Sequence, residues 1–190
     1  MAAVAGAVAD YMLSILCENN KLRKAYVNNG GDIAIYLNHN EVFNIGIITD
    51  LKTRAIGGTT AITQIDSING IATSGRHGRS HSLGIADAVT VLAKNSAQAD
   101  AAATLIANAV DLQDTTLVKK IPANELSPDS DFADKLVTVD VAKLPKKMVE
   151  RAVAQGCDRA VDYIDRGLIK AATISLQGIV EVVGSRHILT

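Results

Sequence analysis

Residues 85–109, IADAVTVLAKNSAQADAAATLIANA, set a strand directly against a helix. The first nine residues are rich in β-branched side chains and read as a strand. The helix follows at once, with Asn95 or Ser96 as its N-cap, and continues through residue 112. Asp100 and Thr104 stand one helical turn apart with only alanines between them, so both project from one face. A carboxylate and a hydroxyl on a bare helix face are hard oxygen donors suited to Mg²⁺, and the small neighbours let a bulky ligand approach. The same spacing also fits an Asp stabilised by the dipole of the first turn, with Thr104 merely packing.

Upstream, residues 72–82 read ATSGRHGRSHS. Gly75 and Gly78 allow close backbone approach, Arg76 and Arg79 can fork onto an anion, and Ser74, Ser80 and Ser82 add donors. His77 and His81 are four residues apart, but Gly78 between them weakens a helical zinc pair. The segment reads either as an anion cradle or as a solvated turn. Residues 28–33, NNGGDI, place Gly30, Gly31 and Asp32 at a strand entrance, where a tight turn or bulge is the ordinary explanation. Neither a P-loop nor the helix-preceding GxGxxG is present. The acidic stretch with Asp129, Asp131 and Asp134 lacks EF-hand spacing and reads as a solvated loop.

Around these segments the spacing predicts an N-terminal helix over residues 1–20, with an apolar stripe of Val4, Val8, Ile15 and Leu16 and either Tyr11 or Met12. Small residues at 2, 3, 5, 6 and 7 leave one side of its first turns bare, for a backbone or a ligand. Residues 24–37 and 41–50 read as two strands joined in a hairpin through Asn38, His39 and Asn40, and residues 59–66 as another strand. A strand over 135–141, an amphipathic helix over 146–166 behind Pro145, and a closing hairpin over 169–184 complete the order. This is not regular βαβ alternation. The expectation is an α+β fold, a largely antiparallel or mixed sheet flanked by helices, as one domain over residues 1–190. The abrupt start of the first helix suggests that an N-terminal segment is lacking.

Aromatic residues make up only 3% of the chain, so Val, Ile, Leu and many alanines must fill the core through close backbone approach. A net charge of −1 gives no electrostatic reason for nucleic acid or an anionic membrane as partner. No apolar run reaches membrane-spanning length. Cys17 and Cys157 match no CxxC spacing, which points to buried, reduced thiols and a cytoplasmic setting.

Four segments in order resemble the ApbE superfamily, whose best-known members are flavin transferases that attach FMN to target proteins. GAVAD (6–10) resembles that family's glycine-led helix segment, VNNGGDI (27–33) its GGD strand, IATSG (71–75) its TSG turn, and AQADAAATLIANA (97–109) its ADAxAT helix. The similarity covers roughly residues 1–112. The whole chain is similar to a branch of short, uncharacterised ApbE-like proteins. The resemblance implies Mg²⁺ held by Asp100, Thr104 and a backbone carbonyl at Ala2, bridging the phosphates of a ligand such as FAD or FMN. It implies a ligand site at Gly30, Gly31, Asp32, Thr73, Ser74, Gly75, Arg76, Arg79 and His81. The chain departs from the transferase pattern at Ala5 and Arg76, where polar and acidic or amide residues are usual, and the HxxDPxTG segment is absent. These departures suggest a binder of a phosphate-bearing small molecule rather than an efficient FMN transferase; a homo-oligomer is compatible with the sequence. The alternative is a non-catalytic accessory or assembly protein in sulfur or cofactor metabolism.

Overall fold

The computed structural model describes residues 2–50, 55–78, 80–113 and 116–184. Its element order is α1 (Val4–Glu18), β1 (Lys24–Asn29), β2 (Asp32–Leu37), β3 (Val42–Asp50), β4 (Ala55–Thr63), a 3₁₀ turn (Gln64–Asp66), β5 (Gly70–Ser74), β6 (Ala88–Ala93), α2 (Ser96–Ala109), β7 (Val118–Pro122), α3 (Ala123–Leu126), β8 (Leu136–Val141), α4 (Lys146–Asp165), β9 (Ala171–Leu176) and β10 (Ile179–Gly184). The fold is α+β, as the order of elements predicts. A six-stranded sheet in the order β1-β2-β5-β6-β9-β10 is antiparallel at every pairing. Two ribbons, β3-β4 and β7-β8, stand outside it. Among the described residues no helix is long and apolar enough to cross a membrane.

Alternation along the central strands sends side chains to two cores. Ala72, Val89, Val91, Ala172 and Ile174 pack beneath α2 and α4, against Ala103, Ile106 and Val153. Ile71, Leu92 and Ala171 point the other way, joining Ile35, Ile62 and Ile68, with Phe43 and Ile45 of the ribbon packed on them. On that second face the register aligns Thr73, Thr90 and Thr173 across β5, β6 and β9. The Thr73 and Thr90 hydroxyls lie 2.9 Å apart. This polar row extends the sheet face beyond the apolar residues under the ribbon, and Thr73 and Thr90 form part of the site described below.

The closing hairpin forms as read, turning at Gln177 and Gly178, both at positive φ. Three other expectations need correction. Residues 24–37 are not one strand but a hairpin, turned at Gly30 (φ 74°) and Gly31 (φ 112°), a left-handed pair that favours glycine. The corner at Asn38–Asn40 does not return β3 along β2; β3 pairs with β4 instead. The strand expected to reach residue 66 ends at Thr63, because the Asp66 carboxylate accepts both the Thr63 N–H and its hydroxyl, each at 2.7 Å, and winds a 3₁₀ turn. The strand β7 went unanticipated from its short, partly basic sequence.

The first helix buries its bare side, where a backbone or a ligand was expected to come close, and leaves its apolar stripe outside. Gly6, Ala9 and Leu13 are its buried residues, while Val4, Val8, Tyr11, Met12, Ile15 and Leu16 remain 42–66% exposed. The reason is proximity. Small side chains let the α1 backbone approach its neighbours more closely than a valine stripe would. Both cysteines are unpaired, but half-buried rather than buried. Desolvation, followed by the nearby Glu181 and Asp158 carboxylates, pushes the Cys157 thiol above its usual range.

Candidate functional site

The site begins with the way α1 and α2 hold each other. Asp10 accepts the N–H groups of Ser96 and Ala97, each at 2.9 Å, while Asn95 accepts that of Gln98 at 2.8 Å. The first-turn donors of α2, which would otherwise be available to an anion, are thus occupied by the protein's own side chains. In return, Asp100 Oδ2 accepts the Gly6 N–H in the first turn of α1 at 3.0 Å. A Cβ at Gly6 would fall 2.4 Å from the Ser96 carbonyl oxygen, so only glycine permits this approach. The spacings Gly6/Asp10 and Ser96/Asp100 therefore form one reciprocal device, with each helix's aspartate capping the other.

Ahead of α1, Ala3 adopts a left-handed conformation (φ 100°), unusual for a residue with a side chain. The β1-β2 turn is held against this end: Asn29 donates its amide to the Ala5 carbonyl at 3.1 Å, and Asn28 Oδ1 accepts the Gly31 N–H at 2.8 Å.

These elements enclose one face of a cleft of about 1070 Å³. Its floor is the sheet at Ile71, Thr73, Thr90 and Leu92, with β3 at Ile45–Ile47 beside it. Asp100, Thr104 and Asn108 line it from α2, and Val4 and Val8 from α1. The loop after β5 closes another side through His77, Ser80 and His81, and Asp131, Phe132 and Lys135 contribute a further edge. One part of the cleft is therefore aliphatic and the remainder carries hydroxyl, imidazole and carboxylate groups.

The loop after β5 is anchored at both ends. At its start the Arg76 N–H bonds the Ala86 carbonyl at 2.9 Å, and a Cβ at Gly75 would meet the Asp87 carbonyl oxygen at 2.5 Å. At its end Asn108 accepts the Leu83 N–H at 3.1 Å, while Lys120, paired with Asp111, donates to the Leu83 carbonyl at 2.6 Å.

Of the sequence-predicted residues, Ala2, Gly30, Gly31, Asp32, Thr73, Ser74, Gly75, His81, Asp100 and Thr104 all line this cleft. Arg76 does not. Its guanidinium bonds Asp87 Oδ1 through Nε at 2.9 Å and Nη2 at 2.8 Å, and lines a separate cavity of about 310 Å³ with residues 138–141. Asp87 is buried; its other oxygen accepts the Gln177 N–H at 2.5 Å. Arg76 thus bolts the loop to the β9-β10 turn instead of reaching into the cleft as an anion-binding fork. His77 borders both cavities, with Nε2 at 3.4 Å from Asp87. Arg79 lies outside the described residues. Among the described residues no group of three His, Cys, Asp or Glu side chains could hold a metal alone.

Sequence reasoning missed Asp10, Asn28, Asn29, Asp87 and Asn108 as organising residues. Asp10 carried a signal, since it stands one turn from a glycine, as Asp100 stands one turn from Ser96. Asp87 carried none, because its partner Arg76 is identified only by the sheet register.

A family model described as AbpE bacteria matches residues 1–182. The UPF0280 protein of Methanocaldococcus jannaschii is 40% identical over 110 residues, covering 57% of this chain and 43% of that protein. The UPF0280 protein of Methanopyrus kandleri is 38% identical over 109 residues, 57% and 42% of the two chains. That of Archaeoglobus fulgidus is 30% identical over 139 residues, 73% and 56%. The chain spans about half the length of the curated relatives it matches. The crystal structure of the ApbE protein from Thermotoga maritima shares the fold at a TM-score of 0.55 and 16% identity, covering 94% of this chain and 48% of that one.

Proposed function

The chain belongs to the ApbE-like family described as AbpE bacteria, and from that premise we propose that its cleft binds a flavin or another phosphate-bearing small molecule together with Mg²⁺. One observation carries the reading: segments around residues 2–8, 28–33, 71–75 and 100–104, distant in sequence, line a single cleft. The donor set fits a hard cation. Asp100 spends one acceptor position on the Gly6 N–H and has capacity left, Thr104 supplies a hydroxyl from the same face, and Ala2 offers a backbone carbonyl. Mg²⁺ takes few protein ligands and completes its shell with water and phosphate.

The aliphatic part suits a planar ring system, and the hydroxyl-rich part suits phosphate and ribose. Bound Mg²⁺ would neutralise phosphate charge and act as a Lewis acid. Thr73, Ser74 and His81 would orient the ligand by hydrogen bonds. A cytoplasmic setting accompanies this reading, supported by two unpaired cysteines.

We propose binding without efficient FMN transfer. Transfer requires the phosphate to be aligned with an incoming hydroxyl and its developing charge stabilised. Ala5 offers no polar side chain there, and the Arg76 guanidinium is committed to Asp87. Calorimetric titration with FAD, FMN and ADP, each with and without Mg²⁺, tests the binding. FAD is expected to bind about tenfold or more tightly with Mg²⁺, a difference of about 1.4 kcal/mol. Failure of all three to bind would overturn the proposal in favour of an accessory protein. Incubation with FAD, Mg²⁺ and a flavinylation-motif peptide, followed by mass spectrometry, tests the second part, and multiple turnovers would refute it.

A further inference from the structure

We propose that the outer face of α1 is the seam of a two-fold dimer, in which α1 packs antiparallel against α1 of a second copy. The stripe Val4, Val8, Tyr11 and Ile15 has intervals of four, three and four residues, the a/d spacing that seats side chains of one helix between those of another. It points away from Gly6, Ala9 and Leu13, and Met12 and Leu16 widen it on one side. Asp10 is the sole charged residue between Val4 and Leu16, and both its oxygens are occupied by α2. The exposed face of these three turns therefore carries no charge, which is unusual for a helix bathed in water.

Self-complementarity selects the occupant. In an antiparallel pair, Val8 meets Tyr11 of the partner subunit and Val4 meets Ile15 of the partner subunit, which gives four layers related by the two-fold axis. The six exposed side chains hold roughly 500 Å² of accessible surface per copy, so even their complete burial removes about 1,000 Å² across the pair, the size of a weak, transient interface. A lipid surface is a poorer fit, because helices that lie in membrane interfaces carry Lys or Arg and α1 has neither. Val4 and Val8 also line the cleft, so Ile15 and Tyr11 of the partner subunit would extend its apolar wall.

Sedimentation of the purified chain across micromolar to submillimolar concentration tests the proposal. A species of twice the 20.0 kDa chain mass is expected. Val8→Glu or Tyr11→Lys alone should weaken association roughly a hundredfold or more by burying unpaired charge, while circular dichroism retains the wild-type helix signal. Mixing the two variants should restore a dimer, since each altered position then faces the opposite charge. A wild-type chain that stays monomeric throughout, or a dimer indifferent to either substitution, would overturn the proposal. Dissociation by the single variants without rescue on mixing would overturn the antiparallel pairing.

Discussion

Gly6 and Arg76 carry the sharpest consequences of a single side chain. A methyl group at Gly6 would meet the Ser96 backbone at 2.4 Å, and neither helix backbone can yield without disturbing the Asp10 and Asp100 caps. Alanine favours a helix over glycine by about 1 kcal/mol, yet Gly6→Ala should destabilise the protein by about 2–3 kcal/mol, because overpacking outweighs propensity. Urea unfolding measures the sign. Arg76 was legible as a cation in a glycine-rich loop, but not as the partner of Asp87, since a sequence does not say which carboxylate a guanidinium will find. Removing it leaves a buried Asp87 without the guanidinium whose Nε and Nη2 both bond its Oδ1. Arg76→Ala should therefore cost about 3 kcal/mol of stability and leave the phosphate affinity of the cleft within about twofold of wild type. A stable variant with lost affinity would return Arg76 to the binding site.

At the scale of elements, α2 and the central strands were readable because their patterns are strong and their caps local. The orientation of α1 was readable only in part: its small residues marked a side of close approach, by a backbone or a ligand, without saying which. Periodicity marks the apolar face of a helix, but which face packs inward depends on how close the neighbouring backbone comes. Here alanine and glycine on one side permit contact that a row of valines and a tyrosine would block. The two aspartates then fix the arrangement, a relation visible in sequence only as matched i, i+4 spacings in helices some ninety residues apart. Asp10→Ala removes the acceptor of two N–H groups at the start of α2 and should cost about 1–2 kcal/mol. Amide exchange should show the loss concentrated in the first turn of α2 and in α1; a uniform loss across the sheet would argue against cross-capping. The 24–37 hairpin was hidden differently. Its Gly-Gly pair was recognised as a turn signal, but the flanking strands of six residues each looked like one continuous run.

For the molecule as a whole, order in sequence becomes proximity through the antiparallel sheet. Placing β2 beside β5 sets the Gly30–Gly31 turn near the loop after Ser74, and the α1/α2 pair caps the same end. The candidate site was legible as four separate motifs only through their resemblance to a family, since each alone also reads as an ordinary turn or cap. The supporting carboxylates and amides were not, because their partners come from other strands. On the proposed function, Asp100 helps hold a cation on which ligand affinity depends. Asp100→Asn tests it most directly, since the amide oxygen can still accept the Gly6 N–H while the charge is lost. Calorimetry with FAD, in the presence and absence of Mg²⁺, should show the metal tightening binding by about tenfold or more in the wild type and not at all in Asp100→Asn. Unfolding temperatures should remain alike. An equal gain from Mg²⁺ in both proteins would rule out Asp100 as a cation ligand.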